Sequence, residues 1–351
     1  MRLFSRRSPI VLAAIVAAAL AVAPPAMADP APPTHSAAKG AAGWLARYLT
    51  DGERIELFWG NLPGEFPDLT ADTVLALDAA GVGQDYAENA TAWLQASPYL
   101  RGYLGDGVTQ SSVAAHAHLA VVAEAQGLDP ADFGGVDLIG ELQALLTPSG
   151  RFADKTPNID NSSGYSQALA IIALHRQGDV PQAAVDYLEG LQCADGGFGS
   201  GNQDICVSDL RVTGVAVQAL VAVKQQSPVG PALDWLESVQ NTNGGFGGSM
   251  TNAADAGPPT VALHLGGRTA AVRRARAYLK SFQVPCTATA DQGAISASGS
   301  GVFDGSHTIT AVGNIRATVA AVPALTGTSL ATVSAEQDRP HAPLLTCSPG
   351  S

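Results

Sequence analysis

Charge, and positive charge above all, is what this 351-residue chain has least of: 14% of its residues are charged, and 19 Lys and Arg stand against 31 Asp and Glu for a formal net charge of −12. A surface with that balance repels nucleic acid and anionic lipid headgroups, so neither is expected as a partner. Aromatic side chains are also few, 6% in all, with four Trp, seven Tyr and nine Phe. A site that stabilises a cation on ring faces has little to draw on. No His-Glu-x-x-His, no Gly-x-Ser-x-Gly and no phosphate-binding glycine loop occurs, which removes the chemistries those motifs carry. What is abundant is apolar: 46% of residues are hydrophobic, too many for a disordered chain.

Arg2, Arg6 and Arg7 precede an apolar run from Ile10 to Ala23, followed by Pro24, Pro25 and Ala26-Met27-Ala28. This pattern predicts a secretory signal peptide over 1–28, cut after Ala28, then a Pro- and Ala-rich linker at 29–38 and an extracellular product. The residues after Arg6-Arg7 do not fit twin-arginine export, so the general route is expected. Loss of three arginines leaves 16 basic against 31 acidic residues, a formal charge of −15. No later stretch is read as a membrane span. Four cysteines in an exported chain read as two disulfides. Cys193 with Cys206 would close a Gly-rich loop, and Cys286 with Cys347 would tie a C-terminal tail, 328–351, to the body.

Self-similarity is the strongest signal. A bulky pair recurs at Trp44-Leu45, Trp93-Leu94, Leu138-Ile139, Tyr187-Leu188, Trp235-Leu236 and Tyr278-Leu279, spaced by 49, 45, 49, 48 and 43 residues. The last four copies carry a Gln shortly after, at Gln143, Gln192, Gln240 and Gln283. Two copies then run into Gly196-Gly197-Phe198-Gly199 and Gly244-Gly245-Phe246-Gly247, where paired glycines end a helix and the Phe plugs the joint to the next copy. Degraded versions stand at Gly150-Arg151-Phe152 and Gly293-Ala294-Ile295. A more uniformly apolar, Ala-rich segment follows each turn. A helix charged on one side belongs outside and one apolar all round belongs inside, so six outer and six inner helices are expected.

The Trp/Tyr-Leu-x-x-x-Gln segment and the Gly-Gly-Phe-Gly loop resemble the repeat of the terpene cyclase and protein prenyltransferase β-subunit superfamily, over about residues 39–327 and most closely at 183–248. The resemblance implies an all-α (α/α)6 toroid with inner helices around a central cavity; an open helical solenoid is the alternative architecture. Toroids of this kind serve several functions, so the fold alone assigns none.

Cyclases resembling this fold place a strong acid, within a clustered Asp-x-Asp-Asp, at the head of an inner helix. The nearest match here, Asp68-Leu69-Thr70-Ala71-Asp72, lacks the adjacent carboxylate that would keep a proton on the central acid. Asp68 is therefore read first as a helix cap and Asp72 as first-turn support. Prenyltransferases resembling this fold hold zinc on Asp-x-Cys and a distant His; Asp204, Cys206 and His264 are the counterpart, in competition with the expected disulfide. The basic run Arg273 to Lys280 falls on an outer helix and reads as solvated surface. Asp160, Asp209 and Asp255 sit near inner-helix starts and read as caps. In a closed ring Asp68, Asp72, His116, His118, Asn161, Tyr165, Asp209, Asp255 and His307 would gather at one mouth of the cavity.

The expectation is thus a secreted, non-catalytic toroid that needs no cofactor or metal and binds a small molecule, an isoprenoid or a glycan, in its cavity or at an acidic mouth. The alternatives are a terpenoid cyclase or prenyltransferase with Asp72 as an atypical acid, and a glycan-active (α/α)6 enzyme with paired carboxylates such as Asp72 and Asp209.

Overall fold

The computed structural model describes residues 31–96, 98–201, 205–247, 252–288, 290–298 and 306–347; the expected signal peptide, 1–28, lies outside them. In chain order the helices are α1 (Ala37–Tyr48), α2 (Pro67–Ala80), α3 (Gln84–Gln95), α4 (Tyr99–Leu104), α5 (Val113–Ala125), α6 (Leu138–Gln143), α7 (Gly164–Gln177), α8 (Gln182–Glu189), α9 (Leu210–Ala222), α10 (Val229–Ser238), α11 (Gly257–Leu265), α12 (Thr269–Ser281) and α13 (Val312–Thr326). Helices α2, α5, α7, α9, α11 and α13 pack each on the next, and α13 packs back on α2, so the inner ring closes. Closure makes the chain an (α/α)6 toroid and overturns the open solenoid.

Inner and outer helices differ as their side chains require. On α5 every residue except Ala114 and Glu124 is buried, whereas on α12 Arg273, Arg274 and Lys280 face solvent and Ala271, Ala275, Tyr278 and Leu279 face the ring. One segment, Ile309–Thr326, is long and apolar enough to cross a membrane by length and composition, against the sequence expectation of none after the leader. Its apolar surface is spent inside the toroid, where Ile315, Ala317, Val319, Ala321, Val322 and Ala324 of α13 are buried against α1, α2 and α11.

The joints between neighbouring hairpins share one device. Gln192 Nε2 donates to Gly196 O in its own loop and to Pro228 O at the head of the next outer helix. Gln240 does the same to Gly244 O and Ala271 O, and Gln283 to Gly293 O and Ala37 O, which stitches the last hairpin to the first. At Gly150 the clip comes instead from an inner helix: Gln167 Nε2 donates to Gly150 O and Ala184 O while its Oε1 accepts from Phe152 N. The loop side chains Phe152, Phe198 and Phe246 are buried plugs.

Both disulfides form as expected, Cys193–Cys206 and Cys286–Cys347. The tail does more than the second bond requires. Leaving α13 it crosses the C-terminal ends of the inner helices, where Gln218 Oε1 accepts from Leu330 N and Ser329 Oγ, Arg176 donates to Leu330 O and Val333 O, and Ala335 N donates to Ala125 O. It ends in β4 (Leu344–Leu345), paired in parallel with β1 (Pro33–Thr34), so part of the expected linker is ordered structure. A hairpin of β2 (Glu56–Trp59) and β3 (Leu62–Glu65) fills the connection from α1 to α2.

Candidate functional site

All six inner helices start on the same side, and their first turns surround the open end of a cavity of about 410 Å³. Its deeper wall is apolar, with Leu75, Leu169, Val215, Val261 and Val319, and its floor is the tail residues Thr328 and Leu330. At the mouth stand Asp68, Asp72, Tyr103, His118, Tyr165, Arg211, Asp255 and Arg316. Exposed Trp59, Leu62, Val108, Ile159, Ile205 and Val207 all lie in connections leading into inner helices.

A relay of side chains crosses the mouth. His118 Nε2 lies 3.1 Å from Asp72 Oδ1, and His118 Nδ1 lies 3.2 Å from the Tyr103 hydroxyl. With its proton on Nε2 the imidazole donates to the carboxylate and accepts from the phenol. Burial, with Asp72 and Asp68 nearby, holds the Tyr103 phenol well above its ordinary range. Burial also raises Tyr165, with Asp72 adding to the shift, although the Arg211 guanidinium stands 5.2 Å above its ring. Burial raises Asp255 too, and Arg211 opposes that shift. Asp68 is 3.6 Å from Arg316. The mouth can therefore accept hydrogen bonds on carboxylates and donate from guanidinium groups, above walls that are mostly apolar, with Gln218 and Thr328 at the floor.

Several expected residues are elsewhere. Asp68 does not cap α2: the N-cap is Phe66, with Pro67 supplying the first turn, and Asp68 projects to the mouth. Asp209 is the one acidic cap foreseen that forms, accepting from Arg211 N and Val212 N; it is spent on the helix and does not line the cavity, which takes away the proposed carboxylate partner of Asp72. Asp160 accepts from Ser162 N and Asp154 N and binds Arg151, while Ser163 caps α7. Asn252, not Asp255, caps the short 3-10 turn ahead of α11. His116 is fully buried and faces away from the cavity, with Nδ1 at Ser112 O and Nε2 at Glu141, whose carboxyl is held near 2 chiefly by Arg101. Its neighbour two positions along, His118, takes the opposite side of the helix. Asn161 is exposed and outside the lining. His307 stacks on Tyr48 with ring centroids 4.2 Å apart, beside the hairpin rather than in the cavity.

The zinc alternative fails on chemistry. Cys206 has its sulfur in a disulfide, Asp204 lies outside the described residues, and His264 is exposed at the far end of α11. Among the described residues no group of His, Cys, Asp and Glu is placed to hold a metal ion. Sequence reasoning missed Tyr103, Arg211 and Arg316. Arg211 follows the Asp209 cap by two residues and could have been found as a first-turn residue; Tyr103 comes from α4, an added helix that the repeat pattern does not announce.

No protein-family model matches the sequence, and no curated protein matches it. Solved structures do resemble the fold. The type II terpene cyclase MstE from Scytonema superposes with a TM-score of 0.61 at 16% identity, covering 83% of this chain and 96% of that one. A variant of MstE holding geranylgeranyl dihydroxybenzoate, its substrate, gives 0.61 at 17% over the same shares. A protein from Actinoplanes gives 0.58 at 14%, covering 84% and 99%, and haptocorrin in complex with Cbi gives 0.53 at 15%, covering 86% and 68%. The likeness is one of architecture: this chain has an all-α toroid fold like that of these solved structures.

Proposed function

We propose that this chain is a secreted carrier or receptor for a small amphiphilic molecule, with the apolar body of the ligand inserted between Leu169, Val215, Val261 and Val319 and its polar head at the mouth. The observation that carries the reading is the cavity itself, of ligand size, apolar below and polar above, closed beneath by the tail. Asp68, Asp72 and Asp255 favour a head that donates hydrogen bonds, such as a hydroxyl or an amine. A prenylated or otherwise terpenoid body suits the walls, and MstE holds such a molecule in a fold of this kind. The apolar rim at Trp59, Leu62 and Ile159 would ease its entry. Secretion is supported by the charged, then apolar, N-terminal pattern and by two disulfides.

The contact between His118 and Asp72 favours a second reading, proton-initiated cyclisation with Asp72 as acid. Two features weigh against it: no carboxylate adjoins Asp72 in sequence, and among the described residues Tyr103 and Tyr165 are the only Phe, Tyr or Trp rings in the lining. Asp72→Asn separates the two. With a geranylgeranyl phenol as probe, the carrier reading expects no product from the wild-type protein and a dissociation constant within about tenfold for the variant, since one hydrogen bond to a charged group is altered. Wild-type turnover abolished by Asp72→Asn would establish the enzyme instead.

A further inference from the structure

Positive charge is scarce in this protein, yet one face of α12 concentrates it. Thr269, Arg273, Arg276 and Lys280 follow the spacing i, i+4, i+7, i+11 and so form one stripe. The stripe borders a second cavity, of about 490 Å³, whose other wall is the end of α11 and the turn after it, with His264, Gly267 and Arg268. His264 lies at the C-terminal end of α11, so this groove is at the opposite end of the inner helices from the mouth.

The cations of the groove are not spent on the protein's own carboxylates. Only Arg268 is, held by Asp234 and by Glu237 at 3.3 Å. Arg273, Lys280 and His264 form no ion pair among the described residues. Arg276 donates from Nε to Ala324 O at 2.9 Å, but its Nη2 is buried with no hydrogen-bond partner. Burial pulls the Arg276 guanidinium down from its ordinary value, and no carboxylate opposes the shift. Gly327 lets His264 and Arg276 pack close against the backbone at the edge of the groove: a Cβ there would stand 2.5 Å from the His264 ring and 2.8 Å from Arg276 Nη2. A buried guanidinium N–H without an acceptor is costly, and a net charge of −12 supplies ample carboxylates that could have filled the corner.

We infer that the groove between α11 and α12 is a binding site for a tetrahedral oxyanion, a phosphate or sulfate group, engaged by Arg273, Arg276 and Lys280. Guanidinium groups suit such oxygens through forked hydrogen bonds; Arg273 and Lys280 are exposed on the groove, and Arg276 Nη2 is an unspent donor that a turn of its side chain would bring to the anion. The acidic surface repels anions at long range, so occupancy depends on this local cluster and weakens with salt. The anion is either free or the headgroup of a lipid.

The test titrates the purified chain with inorganic phosphate and sulfate by calorimetry and sediments it with vesicles of phosphatidylcholine alone or with phosphatidylglycerol. Arg273→Glu with Lys280→Glu changes only exposed side chains; Arg276→Gln is the second variant, with circular dichroism as the check on folding. The inference expects saturable binding of the free anions, or of phosphatidylglycerol vesicles only if the source is a headgroup, weakened about tenfold or more by the double charge reversal. Equal binding by wild-type and double-variant protein, no binding to any probe, or self-association through the groove that phosphate does not disperse would overturn it.

Discussion

At the scale of single residues the fold keeps one acidic pair out of water far from the mouth. Asp78, near the end of α2, and Asp338, in the tail, are neighbours; each has an Oδ2 buried with no hydrogen-bond partner, which one proton shared between them would satisfy. Burial pushes Asp78 up to about 8, against the hydrogen bond from Gln126, and Asp338 up to about 6. In the unfolded chain both titrate near 3.8. Between that value and about 8 the folded chain holds more protons at this pair than the unfolded one, so the pair's contribution to stability is fully present below about pH 4 and is lost as pH rises toward 8. Glu141, held near 2 when folded against 4.5 ordinarily, adds an opposite slope only toward the acid end of that window and little above pH 5. Asp338→Asn removes one carboxyl and presents an amide donor to Asp78. Calorimetry is expected to show a wild-type Tm several degrees lower at pH 8 than at pH 5, and a smaller drop in the variant; an equal drop, or a rise, would contradict the shared proton.

At the scale of elements, stability rests on the joints between hairpins. Gly244 has φ +92, and a Cβ there would stand 2.3 Å from Arg274 O. Gly244→Ala is therefore expected to cost about 2–3 kcal/mol. Gln240→Ala removes the two hydrogen bonds given by Nε2 and the two that Oε1 accepts from the exposed Arg274, and should cost roughly 1–3 kcal/mol, as should Gln167→Ala, which removes three. Gln143→Ala is the control: that side chain is exposed, makes no hydrogen bond among the described residues, and should change stability by no more than about 0.5 kcal/mol. Urea titration of the four variants checks the order, and a cost at Gln143 matching that at Gln240 would remove the clip as its explanation. The same positions show how far the sequence could be read. The Gln and glycine loop are local, so Gln192, Gln240 and Gln283 announce themselves by spacing. Gln143 fits the spacing but not the role, because Gln167 makes the same bonds from an inner helix; only packing decides between them. Caps divide likewise: Asp209 follows from local chemistry, whereas Asp68, expected at the mouth and found there, fails only as a cap, and His116 leaves the mouth for Glu141, distant in sequence.

At the scale of the molecule, closure defines the site. Ring closure through α13 and α2 turns six first turns into one mouth, and the tail turns an open tube into a cavity with a floor. Linking residues 61 apart, Cys286–Cys347 stabilises the tail by roughly 4 kcal/mol in the chain-entropy account, more than the roughly 3 kcal/mol of the local Cys193–Cys206 link. The six-fold repeat, with the family it resembles, made the ring legible. The floor was not, because the tail has no periodic pattern and is placed by Gln218 and Arg176 of two inner helices. The cavity, open at the mouth and floored by the tail, is proposed to hold a small molecule. The most direct test of that central claim is native mass spectrometry of the purified protein beside Val215→Trp, with Leu169→Phe as a second filling variant and circular dichroism to confirm folding. A small molecule retained one to one by the wild-type chain and absent from the folded, filled variants is the predicted result; an empty wild-type cavity that takes up no amphiphile, or equal retention by the filled variants, would contradict it.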